Sequence, residues 1–229
     1  MRVVLAALIL SLSPAIAVAD NAALAAKARA AFVAKKWPEA ETVLKQLVPF
    51  VPVNWDLQEK LIAAQSAQGH YEDALESCNK AIGYARKGVG GMLPPGKDRA
   101  WLALGSLLRT QGDILLKLNK PDEAAKAYAN ADFNTCAMMY SKARMPEAVA
   151  ACDKAIATDP AKADAYFIKG SALFREATVQ DGKMVAPEAS VQALQEYLAL
   201  EPNGVHAADV KSKLGQVGQP TGTVYQTKK

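Results

Sequence analysis

One short phrase recurs five times along the chain and dictates an array of helices. It is an acidic residue followed by Ala, usually with Pro just ahead and an apolar helical run behind. The copies are WPEAETVLKQLV from Trp37, YEDALESCNKAI from Tyr71, KPDEAAKAYANA from Lys120, MPEAVAACDKAI from Met145 and APEASVQALQEYLAL from Ala186. Proline in the first turn of a helix loses no internal hydrogen bond, and an early Glu or Asp meets the positive end of the helix dipole. Pro38, Pro121, Pro146 and Pro187 hold that place, and the Tyr71 copy has no proline. Each helix carries apolar residues at three and four spacing, as in Leu57, Leu61, Ala64 and Ala67, so each needs a neighbour to cover its stripe.

The anchoring alanines Ala40, Ala74, Ala124, Ala148 and Ala189 are separated by 34, 50, 24 and 41 residues. The clearest unit, CDKAIATDPAKADAYFIKGSALF, ends one helix at Asp159-Pro160 and opens another near Ala161. On these residues the chain resembles a tetratricopeptide-repeat protein, whose period is 34, from about Asn21 to Gly218. The resemblance implies that Ala28, Gly112, Cys136 and Gly170 face Ala40, Ala124, Ala148 and Ser190, with Ile62 departing from the small-residue rule. Leu44, Cys78, Tyr128, Cys152 and Leu194 take the larger position four further on. The fold it implies is all-α, a right-handed superhelical solenoid of about five antiparallel helix pairs. A more polar helix, Gly204 to Leu214, would close the array.

The N-terminus reads as a signal peptide over 1–19. Arg2 is followed by the apolar run Val3 to Leu12, Pro14 breaks it, and Ala17-Val18-Ala19 fits the cleavage rule. Ten apolar residues fall short of the ~20 that a spanning helix needs. The expected product is an exported, periplasmic or secreted chain without stable membrane insertion, folded over 20–218 with a flexible tail at 219–229. The formal charge of +4 comes from interleaved acids and bases, which argues against nucleic acid as a partner.

Nothing in the chain assembles a catalytic, cofactor or metal site. Gly91, Gly96 and Lys97 have the spacing of a phosphate-binding loop. However, a helix precedes them, and Asp98 stands where Ser or Thr would hold magnesium. Residues 87–97 read instead as a loop inserted between repeats, with Asp98 capping the next helix. Asp181-Gly182 marks a possible hairpin over 179–185. The only histidines, His70 and His206, fall in a turn and in the closing helix, and no C-x-x-C occurs. An enzyme or enzyme accessory with a ligand site at 87–97 or at the hairpin is the alternative reading.

Binding of a protein or peptide partner is what the resemblance implies, in a groove lined by the first helix of each pair. The family pattern projects Arg29, Phe32, Glu59, Arg109, Asp113, Lys117, Phe133, Tyr140, Phe167, Phe174 and Arg175 towards it. Four aromatics would form an apolar floor, or pack between neighbouring first helices; both arrangements are open at this point. Cys136 and Cys152 fall on paired helices about one turn out of register, so they read either as a disulfide or as buried thiols. The oligomeric state is not readable.

Overall fold

The computed structural model describes residues 14–91 and 96–220. Residues 1–13 of the expected signal peptide and 221–229 of the expected tail lie outside them. The described chain is all-α apart from one small hairpin, and its helices pack as consecutive antiparallel pairs. It divides into two compact units, up to Ala81 and from Ile82.

The first unit holds α1 (Pro14–Val33), α2 (Trp37–Leu47), a 3-10 turn (Val48–Phe50), α3 (Trp55–Ala67) and the start of α4 (Tyr71–Gly91). Helix α2 packs between α1 and α3. Ala28, Ala40, Leu44, Leu47, Leu57 and Leu61 form its core, with Phe32 and Trp37 closing one side. Asn54 caps α3 by accepting the Leu57 N–H at 3.3 Å.

The second unit continues α4 and adds α5 (Gly96–Lys117), α6 (Pro121–Ser141), α7 (Met145–Thr158), α8 (Ala163–Phe174), α9 (Glu188–Leu200) and α10 (Ala207–Gln216). From α5 onwards each helix packs on the next. Strands β1 (Thr178–Gln180) and β2 (Lys183–Val185) form an antiparallel hairpin between α8 and α9. Its turn residues Asp181 and Gly182 have φ of 51° and 76°, as a two-residue primed turn requires.

Four of the five recurring phrases are entered through one backbone turn. Lys35, Gly69, Asn119 and Ala143 each stand five residues before an anchoring alanine, and their φ values are 55°, 77°, 57° and 57°. The next amide reaches back to the end of the preceding helix: Lys36 to the Ala31 carbonyl at 2.9 Å, His70 to Gln65 at 3.0 Å, Lys120 to Leu115 at 2.9 Å and Arg144 to Met139 at 3.0 Å. That is the six-to-one bond of a left-handed helix stop. Five places before Ala189 the chain has Met184, in the hairpin, so the fifth phrase follows a ribbon and not this turn.

Two expectations need correction. The phrases at Lys120 and Met145 were expected to belong to separate helix pairs, but α6 is a single helix of 21 residues serving both. Between Pro121 and Ser141 there is no further Pro and no Gly to stop it, so the short interval of 24 reflects a shared helix. Residues 87–97 are not an inserted loop: α4 runs to Gly91 and α5 starts at Gly96. The stripe of Ile82, Ala85 and Gly88 stays buried and carries α4 onward. Asp98 lies within the first turn of α5 and pairs with Lys142 at 3.1 Å. Residues 92–95 lie outside the described residues.

Candidate partner-binding surface

In the second unit the larger residue of one helix fills the small place on the helix before it at Gly112, Cys136 and Gly170. A Cβ on Gly112 would come within 2.6 Å of the Tyr128 ring, and one on Gly170 within 2.7 Å of Leu194 Cγ. Gly112 and Tyr128 are 16 residues apart, as are Cys136 and Cys152, which form a disulfide with Cα atoms 5.0 Å apart. The sequence reading set Cys136 against Ala148, one turn too early. Ser190, placed opposite Gly170, donates its hydroxyl to the Gly170 carbonyl at 2.8 Å. Burial pushes the Cys78 thiol up to about 12, with a smaller push from Glu59.

The sequence-projected residues fall in both units, and each unit is described by itself. In the first, Arg29 lies 3.7 Å from Asp56 across α1 and α3. Phe32 meets the Trp37 ring edge-on at 5.2 Å, and Lys60 Nζ sits 5.5 Å above its ring. Glu59 is exposed on α3.

The same unit holds a polar network that the sequence reading missed. Glu41 on α2 is buried, yet it accepts from Lys45 at 2.7 Å and from Gln68 at 2.7 Å, and lies 3.2 Å from His70 Nδ1. Lys45 also reaches Asp73 at 3.1 Å. Burial by itself would raise the Glu41 carboxyl; the hydrogen bonds from Lys45, His70 and Gln68 with the Lys45 charge outweigh it and hold it below its ordinary value. The Lys45 ammonium is correspondingly raised, first by its bond to Glu41 and then by Asp73. Glu41 was masked in the sequence by its place inside an unremarkable amphipathic helix.

In the second unit Arg109 binds Asp132 at 2.6 Å and Asp113 accepts the Tyr128 hydroxyl at 2.7 Å. Both side chains therefore tie α5 to α6. Burial, and then Asp113, push the Tyr128 hydroxyl up to about 12. Lys117 is exposed in the last turn of α5.

The remaining projected residues gather on α6 and α8. Phe133, Tyr140 and Phe167 are half-buried against the cluster formed by the disulfide with Ala151 and Ile168. Phe167 also joins Phe174 on the cluster of Leu194, Tyr197, Val210 and Leu214. Its ring stacks on His206, with centroids 3.8 Å apart and planes 3° from parallel. Arg175 lies 5.9 Å from the Tyr140 ring. Lys162, which the sequence reading passed over, donates to Asn130 Oδ1 at 2.6 Å and sits 5.0 Å above the Phe133 ring.

The hairpin is exposed along both strands. A cavity of about 250 Å³ between α8 and α9 is lined by Tyr166, Lys169, Ala189, Gln192, Ala193 and Glu196, smaller than the ~300–1,000 Å³ usual for small-molecule sites. Among the described residues no cluster of His, Cys, Asp or Glu could hold a metal ion, and no helix is long and apolar enough to cross a membrane.

No family model matches the sequence, and no curated protein matches it. Solved structures do. The TPR protein YrrB, described as having an unusual peptide-binding site, is 16% identical, with 81% of this chain and 88% of that one covered and a TM-score of 0.35. The MamA protein is 16% identical over 82% and 94%, with a TM-score of 0.34. The TPR2AB domain of yeast Sti1, solved with an Hsp90 peptide, is 14% identical over 88% and 99%, with a TM-score of 0.30.

Proposed function

We propose that this chain is an exported, non-catalytic scaffold that holds a peptide or helix of a protein partner on its helical repeats. The observation that carries the reading is the row Phe133, Tyr140 and Phe167. These rings are anchored by one face in a disulfide-bonded core and keep part of their surface in water. Half-buried aromatics on a rigid support supply contact area at low entropic cost, as binding hot spots do. Export is supported by the leader-like N-terminus and by the disulfide, a bond that persists in oxidising compartments. The partner is a protein; neither nucleic acid nor stable membrane insertion has support in the charge pattern or the hydropathy of the chain.

The test is a crosslinking pull-down from the native host with the full chain and a Tyr140→Glu variant. Circular dichroism must show an unchanged fold for the comparison to count. Phe167→Glu is a poorer probe, because that ring also stacks on His206. The expected result is a partner retained by the wild type and lost by the variant; equal capture by both would sink the reading. N-terminal sequencing of the exported product should start at Asp20, and a product beginning at Met1 would remove the export claim.

A further inference from the structure

Helix α8 carries a cation at each end, and each cation rests on a ring of α6. Lys162, at the N-cap, covers Phe133, and Arg175, at the C-cap, covers Tyr140. The order of the two pairs shows that α6 and α8 run in the same direction. The cap positions are thirteen residues apart on α8 and the rings seven residues apart on α6, so the two side chains lean towards each other.

What distinguishes these cations is their electrostatic state. Lys169 on the same helix is paired with Asp153 at 2.6 Å, and Lys213, which lies over Phe167, is paired with Asp209. Lys162 and Arg175 have no carboxylate within ion-pair distance among the described residues. Asp164 and Glu176, their neighbours in sequence, do not reach them. An aromatic face attracts a cation but does not neutralise it. The surface therefore holds two positive charges in place, with the apolar edges of Phe133, Tyr140 and Phe167 near them.

We infer that this surface takes an acidic segment of the partner, with one carboxylate for each of the two cations and apolar side chains between them. The inference rests on the scaffold reading above and specifies the charge of the ligand for the same surface.

The experiment is selection of a random 16-residue peptide library on the full, oxidised chain, followed by synthesis of the most enriched peptide. The expected peptides carry net negative charge with two acids flanking apolar residues. Replacing both acids by Gln should weaken binding at least tenfold, as should the double variant Lys162→Gln/Arg175→Gln. The charge-keeping Lys162→Arg/Arg175→Lys should retain most of the affinity, and Lys154→Gln, an exposed lysine on α7, should change nothing. Affinity should also fall as salt rises. Peptides that are neutral or basic, lose affinity in Tyr140→Glu and are indifferent to the Gln double variant would overturn the acidic-ligand inference and leave the scaffold reading standing. Enrichment of no peptide at all would count against both.

Discussion

Gly170 and Leu194 are in contact through the backbone as well as the side chain: a methyl group on Gly170 would lie 3.1 Å from the Leu194 amide nitrogen and 2.7 Å from its Cγ. The side chain of Leu194 is fully buried and cannot swing away. Gly170→Ala should therefore destabilise the protein by about 1–3 kcal/mol through overpacking. This holds although alanine is the better helix former by ~1 kcal/mol at an open helical site. Urea denaturation measures the balance, and a more stable variant would show that α8 and α9 separate more easily than this packing implies.

The disulfide closes a short loop across α6 and α7, with a sequence separation of 16. Loop-closure entropy for a ring of that size is worth about 3 kcal/mol. Dithiothreitol, or Cys136→Ser together with Cys152→Ser, should lower the melting temperature accordingly. In the denatured but unreduced protein, thiol titration should count one reactive thiol, from Cys78. A count of three would mean that the bond does not form in the isolated protein.

Glu41 makes part of the stability of the first unit depend on pH. Its carboxyl is held below its ordinary value of 4.5, so its contribution is fully present above about pH 4.5 and is lost as pH falls through the lower, folded value. Lys45 acts at the other extreme: its raised ammonium contributes below 10.5, and that part fades only as pH climbs through the folded value. Glu41→Gln should cost about 1.5–3 kcal/mol at pH 7, the size of a hydrogen bond to a charged group. The difference from wild type should shrink in acid. A gap that stays constant down to pH 3 would assign the loss to shape and not to charge.

Ala143 sits in the left-handed region, where a side chain costs about 1–2 kcal/mol. Ala143→Gly should consequently raise stability, by less than that amount because glycine also loosens the unfolded chain. Gly69→Ala, at the equivalent turn, should do the reverse. Equilibrium denaturation of the two variants checks both signs together.

The helices were legible because their start signals are chemical: Pro38, Pro121, Pro146 and Pro187 with the acids beside them. The turns between them were not, since Lys35, Asn119 and Ala143 adopt a positive φ without being glycine. The six-to-one backbone bond to the preceding helix, not the residue type, marks that conformation. The same difficulty hid the continuity of α6, where counting repeats suggested a break that no residue between Pro121 and Ser141 produces. Phe133, Tyr140 and Phe167 could be projected from the repeat pattern that the chain resembles. Lys162 could not, because it belongs to a cap and becomes relevant only when the N-terminus of α8 is laid beside α6. Glu41 escaped for a related reason: its partners Gln68 and His70 lie beyond its own helix and meet it only on folding.

Helix α6 has a further consequence for how the molecule comes apart. In an array of separate pairs, each junction is a place where one module can open while the next stays closed. Helix α6 packs on α5 and on α7 and has no such junction, and the Cys136–Cys152 bond ties its C-terminal half to α7. Residues 96–158 should thus open as one cooperative block, so that hydrogen exchange would assign α5, α6 and α7 a common opening free energy. The rings of Phe133 and Tyr140 stand on that block, which keeps their spacing constant while the ends of the array fray.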